Sequence, residues 1–263
     1  MAYSESMTRA YVEKRFPRAS DAEHERLVVD WLTKPEQAEG IATDFERRVR
    51  PLVGLRVLDA GCGNGGISIA FTNSGAIVEG VDVEEDLIAI ARTEATNVGS
   101  SVHFTCYDGI TLPFPDNSFD AVISVSVLEH VDKPVRYLSE ILRVLKPKGV
   151  LYLAFPNRLN PREAHTRLWG LTYLPLLLAH CYVHLTKHNP LKDNGIHFYT
   201  FWDAKQMLHS SEFSNRTWII REEKGISANP LKILLKRIVR LFGIPHQAFL
   251  PHVMLILEAQ KTA

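Results

Sequence analysis

The sequence predicts an α/β fold, built on a doubly wound and mostly parallel sheet with helical insertions. Short apolar stretches alternate with helical patterns from about residue 50 to residue 157. A glycine-rich turn, VLDAGCGNGG at residues 57–66, follows the first apolar stretch. This alternation is typical of parallel strands joined by crossover helices.

The predicted elements follow one another in a regular order. Five strands are predicted at Arg56–Ala60, Ile77–Asp82, Val102–Cys106, Phe119–Val125 and Val150–Phe155. Helices are predicted between them at Gly65–Ser74, Glu84–Thr96 and Pro134–Val144. Pro147 and Gly149 predict a turn after the third of these helices. A helix in TFWDAKQMLHS, a strand in TWIIREE and a final strand in HVMLILEAQ complete the pattern.

The chain divides into four predicted parts. Residues 1–50 form an N-terminal helical cap, and residues 51–157 form a cofactor-binding core. Residues 158–200, rich in Leu, His and aromatic side chains, form a helical lid. Residues 201–263 complete the core and include an amphipathic insertion at 226–250.

Charge is balanced over the chain but not along it. The 263 residues carry 30 basic and 30 acidic side chains, so no global basic field indicates a nucleic-acid partner. Residues 1–156 have 16 basic and 23 acidic side chains, and 16 − 23 gives −7. The remaining residues have 14 basic and 7 acidic side chains, which gives +7. An acidic front half suits a cationic ligand, and a basic back half suits an anionic surface or substrate.

Cysteine usage and the N-terminus indicate a cytoplasmic protein. The three cysteines, Cys62, Cys106 and Cys181, have no paired spacing, which favours a reducing compartment. The first 20 residues contain no apolar segment typical of a signal peptide. Residues 168–186 lack charged side chains, but Gly170, Pro175 and two histidines disfavour a membrane-spanning helix.

The glycine-rich turn fits a phosphate-binding P-loop or a dinucleotide site less well than it fits a site for a cationic nucleoside. A phosphate-binding P-loop needs Lys-Ser or Lys-Thr after the glycines, and neither follows here. A dinucleotide site is compatible with Gly61, Gly63 and Gly66, and with Asp82 at the end of the next strand. Asp59, however, would face the pyrophosphate, which is unfavourable in a low-dielectric cleft.

Three carboxylates at successive strand ends favour a cationic nucleoside. Asp59, Asp82 and Asp108 end or follow the first three predicted strands. S-adenosylmethionine carries an ammonium and a sulfonium group and no phosphate, so these carboxylates would assist its binding. Asp108 could accept a hydrogen bond from the adenine amino group.

Four ordered stretches also resemble a known family. VLDAGCGNGG, VEGVD, CYDGITLPFPDNSFDAVISVSVLEHV and EILRVLKPKGVLYLAFPN are similar to the signature stretches of small-molecule class I S-adenosylmethionine-dependent methyltransferases. The resemblance covers about residues 50–157. It implies a seven-stranded sheet whose last strand, HVMLILEAQ, is antiparallel. The layout after LEHV is similar to that of ubiquinone-type O-methyltransferases, although the insertion does not match closely enough to transfer a substrate.

The resemblance implies a set of cofactor-binding residues. Asp59, Gly61 and Gly63 would line the methionine moiety, and Asp82 would bind the ribose hydroxyls. Asp108 and the backbone of Gly109 would bind the adenine, and Ser126 and Val127 would flank the activated methyl group. Cys62 and Val83, next to the loop and to Asp82, belong to the same candidate set. Cys62 suits a tight loop better than the role of a nucleophile, since no base is positioned beside it.

The acceptor side of the site leaves alternatives open. His130 is the candidate catalytic base for a hydroxyl acceptor, or it packs or positions the substrate. His180, His184 and His188 lie at i, i+4, i+8 and could share one helix face, but no metal site is expected. Seven aromatic residues could line an apolar acceptor pocket or pack the insertion onto the sheet: Trp169, Tyr173, Tyr182, Phe198, Tyr199, Phe201 and Trp202.

Partners are a small-molecule methyl acceptor and, as a hypothesis, a membrane surface. Residues 229–245, NPLKILLKRIVRLFGIP, predict an amphipathic helix with leucines on one side and four basic residues on the other. Such a helix could contact the inner face of a membrane, or it could form a lid or dimer contact. A nicotinamide oxidoreductase and a non-catalytic S-adenosylmethionine-binding protein remain alternatives. The sequence does not set the oligomeric state.

Overall fold

The computed structural model describes residues 2–17, 19–32, 34–163, 166–186, 197–208, 217–220 and 252–260. Within them lies one seven-stranded sheet in the order β3-β2-β1-β4-β5-β7-β6. The first five strands pair in parallel, and β7 is antiparallel to both β5 and β6. The predicted fold class, including the antiparallel last strand, is confirmed.

The strands occur in the order and at the places that the apolar patterns predict. Their bounds are β1 Arg56–Ala60, β2 Ile77–Asp82, β3 His103–Cys106, β4 Phe119–Val125, β5 Leu145–Pro156, β6 Thr217–Ile220 and β7 His252–Gln260. The prediction that the fifth strand begins at Val150 is wrong, because β5 begins at Leu145. The pairing with β4 shifts register between Phe119 and Ala121, so residues 146–149 form an irregularity within the strand instead of a separate turn.

Eight α-helices and two short 3-10 helices are present in the described residues. The α-helices are α1 Ala2–Arg15, α2 Asp21–Leu32, α3 Lys34–Arg48, α4 Gly66–Asn73, α5 Glu85–Asn97, α6 Pro134–Val144, α7 Leu176–Leu185 and α8 Phe201–Leu208. The 3-10 helices are Leu128–His130 and Leu171–Tyr173. The predicted helices over the core differ from these bounds by one residue or less.

Alternate residues of each strand supply two separate cores. Leu58 and Ala60 of β1 lie on the face covered by α6 and α8, where Leu138 and Ile141 are fully buried. Val57 lies on the opposite face, packed with residues of α3, α4 and α5. Both faces of a mostly parallel sheet are therefore buried, which explains the nearly continuous apolar runs of its strands.

The insertion after β5 leaves the sheet and returns to it at one point. Asn157 pairs with Tyr199 in an isolated bridge, and the Arg158 backbone N–H donates to the Tyr199 carbonyl at 2.9 Å. Between these positions α7 and the 3-10 helix Leu171–Tyr173 share a small buried cluster of Leu168, Leu171, Ala179 and Val183. Since β5 ends here, the insertion lies at the carboxyl edge of the sheet.

Several predictions fall outside the described residues. They are the amphipathic insertion at 226–250, with its segment 229–245, and His188. No helix among the described residues is both long and apolar enough to cross a membrane. The division into an N-terminal cap, core, lid and C-terminal part stays a prediction.

Candidate cofactor and methyl-transfer site

The glycine-rich loop is clamped to the end of β2 by backbone hydrogen bonds. The N–H groups of Gly61 and Cys62 both donate to the Val81 carbonyl, at 2.8 and 2.9 Å. The Gly63 N–H donates to Asp82 Oδ2 at 2.8 Å. The loop after β1 and the acidic end of β2 therefore form one rigid unit.

Gly61 is required by both backbone conformation and packing. Its φ is 87°, and a Cβ there would lie 2.3 Å from Cγ2 of Val127. A side chain at this position is excluded unless Val127 moves. The close approach brings the loop after β4, with Ser126 and Val127, against the loop after β1.

Asp82 is placed to bind a ligand as well as the loop. Its carboxylate is nearly buried, with 9% of the residue exposed. Oδ2 accepts the Gly63 N–H, and Oδ1 accepts the Glu84 N–H at 3.0 Å. A carboxylate offers about four acceptor positions, so the two oxygens retain capacity for ligand hydroxyls. Val83, the next residue, is exposed.

Asp59 lies beneath the loop and does not open into the cleft. It is 2% exposed, and Ser68 of α4 donates to its Oδ2 at 2.6 Å. Burial raises the pKa of the Asp59 carboxyl to about 7, the Ser68 hydrogen bond lowers it, and the nearby Asp82 charge raises it further. The structure therefore places Asp59 under the loop as a buried carboxyl with a raised pKa, and not as an exposed carboxylate that faces a ligand.

Asp108 and Gly109 form the next corner of the same edge. Asp108 is exposed, and its Oδ1 accepts the N–H groups of Thr111 and Ile110, which hold the pKa of its carboxyl below the usual range. Gly109 has a φ of 73°, and a Cβ there would lie 3.0 Å from Val83. The turns after β2 and β3 are thus adjacent.

The 3-10 helix after β4 contains two titratable residues that differ in solvent exposure. Glu129 is 1% exposed, whereas His130 is exposed at the surface. The His130 N–H donates to the Val127 carbonyl at 2.8 Å, which fixes the turn. Ser126 is also exposed and has a φ of 57°, an uncommon value for a residue with a side chain.

A second histidine, His197, lies beside this 3-10 helix and is not among the residues predicted from the sequence. The His197 N–H donates to the Glu129 carbonyl at 2.6 Å, and its Nε2 lies 3.6 Å from Asp132 Oδ1. The His197 ring stacks on Tyr199, with centroids 6.0 Å apart. His197 lies at the end of the insertion, and no local pattern relates it to Glu129, 68 positions earlier.

The remaining candidates are aromatic residues, one cysteine of the loop and two histidines. Phe201, the first residue of α8, is buried in the core, so it packs the fold, while Trp169 and Tyr173 are exposed on the insertion. Burial raises the pKa of the Cys62 thiol well above its usual value, with Asp59 and Asp82 adding to the shift, so this thiol stays protonated. His180 and His184 lie on α7, and no group of potential metal ligands occurs in the described part of the chain.

The fold and the loops at this edge of the sheet are those of a methyltransferase domain, and comparisons with known proteins agree with this assignment. A protein-family model described as a methyltransferase domain matches residues 58–153. A ubiquinone biosynthesis O-methyltransferase of Coxiella burnetii is 37% identical over 187 residues, covering 69% of this chain and 70% of that relative. One from Dinoroseobacter shibae is 31% identical over 149 residues, which cover 56% of this chain and only 58% of the relative.

A solved structure shows the same fold. The magnesium protoporphyrin IX methyltransferase of Synechocystis PCC 6803, crystallised with bound SAH, has a TM-score of 0.57 at 17% identity, covering 94% of each chain. This chain belongs to the class I S-adenosylmethionine-dependent methyltransferase family, and S-adenosylmethionine is its cofactor.

The residues present fit this cofactor. The loop glycines Gly61 and Gly63 are partly exposed and have positive φ, and the carboxylates of Asp82 and Asp108 lie at neighbouring strand ends. This donor and acceptor set suits a ligand that carries hydroxyls, an amino group and positive charge.

We predict that Gly61→Ala destabilises the protein more than Gly99→Ala. Both glycines have positive φ, but a Cβ at Gly99 would meet nothing within 4 Å. Gly99→Ala should cost about 1 kcal/mol for the backbone conformation. Gly61→Ala should cost roughly 2–4 kcal/mol because Val127 must also move. Urea unfolding of the two variants measures both values, and equal losses would contradict the packing at Gly61.

We also predict a pH signature of Asp59. Its pKa is raised on folding, so the folded state binds more protons than the unfolded state between pH 4 and 7. The contribution of Asp59 to stability should therefore fall as pH rises through this window and stay constant above it. Asp59→Asn should remove a fall on the order of 4 kcal/mol from the pH profile of unfolding. Parallel profiles for the two proteins would show that the pKa of Asp59 is not raised.

Proposed function

We propose that this protein transfers a methyl group from S-adenosylmethionine to a hydroxyl of a small, lipophilic acceptor. The observation that carries the proposal is the exposed His130, three residues after Val127, which itself lies against the glycine-rich loop at Gly61. The relatives named as ubiquinone biosynthesis O-methyltransferases support both hydroxyl chemistry and a lipophilic acceptor.

Each cofactor-binding residue has a proposed task. Asp82 would bind the ribose hydroxyls with Val83 beside it, and Asp108 with the Gly109 backbone would bind the adenine. The loop at Gly61, Cys62 and Gly63, above the buried Asp59, would hold the methionine moiety. Ser126 and Val127 would border the reacting methyl group.

The bound cofactor supplies an electrophilic methyl group on a sulfonium, which is an excellent leaving group. The protein therefore needs to align the acceptor and to exclude water. A hydroxyl acceptor must also lose its proton, and His130 is the proposed base. His197, next to Asp132, is a second candidate because its backbone is bonded to the same 3-10 helix.

The insertion supplies a surface suited to an apolar acceptor. Trp169, Leu177, Leu178 and Leu185 are exposed large hydrophobic residues on this segment. The segment leaves and rejoins the sheet at Asn157 and Tyr199, beside the ends of the strands. In doubly wound sheets, ligands bind at this edge.

We expect His130→Ala to lower turnover about 100-fold near neutral pH while cofactor affinity stays unchanged. The measurement is transfer of labelled methyl groups to a panel of alkylated phenols and catechols. The loss should shrink as pH rises toward the pKa of the phenol, because the acceptor then ionises without a base.

Two further variants make the experiment on His130 specific. His103→Ala, at the opposite end of a strand, should leave turnover unchanged. A large loss in His197→Ala with a normal His130→Ala would assign the base to His197 instead. If no acceptor of the panel is methylated although cofactor binds, the proposed acceptor class is wrong.

A membrane contact through residues 229–245 remains part of this proposal. These residues lie outside the described ranges. The membrane contact is supported by their sequence pattern and by the exposed leucines of α7. We expect co-sedimentation with vesicles of anionic lipid that weakens in salt. Changing Lys236, Arg237 and Arg240 to Glu should abolish it. Sedimentation that ignores these three changes would exclude the contact.

A further inference from the structure

The two N-terminal helices α1 and α2 pack against the helix that follows Asp82. Tyr11 and Val12 of α1, Val28 of α2, and Leu87 and Ile90 of α5 form one buried cluster. Leu87 and Ile90 belong to the first two turns of α5, which starts three residues after Asp82. The packing therefore brings the N-terminal helices to the edge of the sheet where the cofactor loop lies.

Trp31, near the end of α2, contacts this loop directly. A Cβ at Gly63 would lie 3.7 Å from Cζ3 of the indole. The side-chain amide of Asn64 donates to the Trp31 carbonyl at 3.0 Å. The ring of Tyr11 packs edge-on against the indole, with centroids 5.4 Å apart. The indole is thus held between the cofactor loop on one side and α1 on the other.

Tyr11 itself lies close to the start of α5, where it packs with Leu87 and Ile90. Burial raises the pKa of its phenol and the charge of Glu84 raises it further, while the charge and hydrogen bond of Arg15 lower it, so the phenol stays neutral and its O–H can donate a hydrogen bond. Ion pairs from Lys14 to Asp86 and from Arg15 to Glu84 join the same helix to the start of α5. Several contacts therefore hold α1 beside the start of α5, which follows Asp82.

We propose that Trp31 and Tyr11 are cofactor-binding residues that form the outer wall of the cofactor site, with the indole beside Gly63 and the phenol ring packed on the indole. The inference rests on the proposed cofactor positions at Gly63 and Asp82. The loop offers backbone groups and the strand ends offer carboxylates. Trp31 and Tyr11 add an aromatic surface, which attracts a cationic ligand, and a neutral donor.

The test is binding of S-adenosylmethionine and S-adenosylhomocysteine to the full chain, by calorimetry and by intrinsic fluorescence. The chain has four tryptophans. Adding either ligand should change the fluorescence of the wild type and of Trp169→Phe, and this change should be lost in Trp31→Phe. Trp169 is the matched control because it is exposed on the insertion.

The affinities should change in a graded way. Trp31→Ala should raise the dissociation constant about 10-fold, and Tyr11→Phe about 3- to 10-fold. Tyr173→Phe is the control for Tyr11, since its hydroxyl donates to the Leu159 carbonyl on the insertion, and it should leave affinity unchanged. Asp82→Asn serves as a reference variant that weakens binding at least tenfold. If Trp31→Ala does not fold, Trp31→Phe and Tyr11→Phe still decide the question.

The outcomes separate this inference from the proposed function. A wild type that binds neither ligand would overturn both. A wild type that binds, with Tyr11 and Trp31 variants that bind equally well, would overturn only the role of these two residues. A purely structural role would lower the unfolding temperature without ligand and leave the dissociation constant of the folded protein unchanged.

Discussion

The hydrogen bond from the Gly63 N–H to Asp82 is the contact on which the candidate site depends. It connects the loop after β1 to the end of β2 at 2.8 Å, and the Val81 carbonyl accepts two further N–H groups of the same loop. Together these contacts set the path of a loop whose glycines would otherwise be free to adopt many conformations. The position of Asp82 relative to the bare backbone is thus fixed before any ligand arrives.

The N-terminal helices and the insertion after β5 contact each other near the glycine-rich loop. Asp30, next to Trp31 in α2, forms an ion pair with Arg167 of the insertion at 3.2 Å. The pair is half exposed and contributes little to stability on its own. It nevertheless places the N-terminal helices and the insertion in contact beside the loop. A cofactor beneath Trp31 and an acceptor beneath the insertion would therefore be covered by two segments that touch each other.

The sequence predicts the core of this molecule well because its signals are local. The strands β1, β2 and β4 and the helix α6 have the predicted bounds, since each is set by an apolar run or a helical repeat. Asp82 is found from its spacing to the glycines. Trp31 and His197 are not, because their contacts with Gly63 and Glu129 depend on how the N-terminal helices and the insertion return to the sheet. No pattern within either segment encodes such distant contacts.

The direction of Asp59 shows a second limit of sequence reasoning and has a chemical consequence. Its place at the end of β1 suggests a carboxylate facing the ligand, but the alternation of the strand directs it toward Ser68 beneath the loop. There it lies near Asp82, and burial with this neighbouring charge raises its pKa to about 7. A cationic ligand above the loop would favour the ionised form, whereas a pyrophosphate would favour the protonated one. The buried carboxyl would therefore favour a positively charged nucleoside through its charge, without touching the ligand.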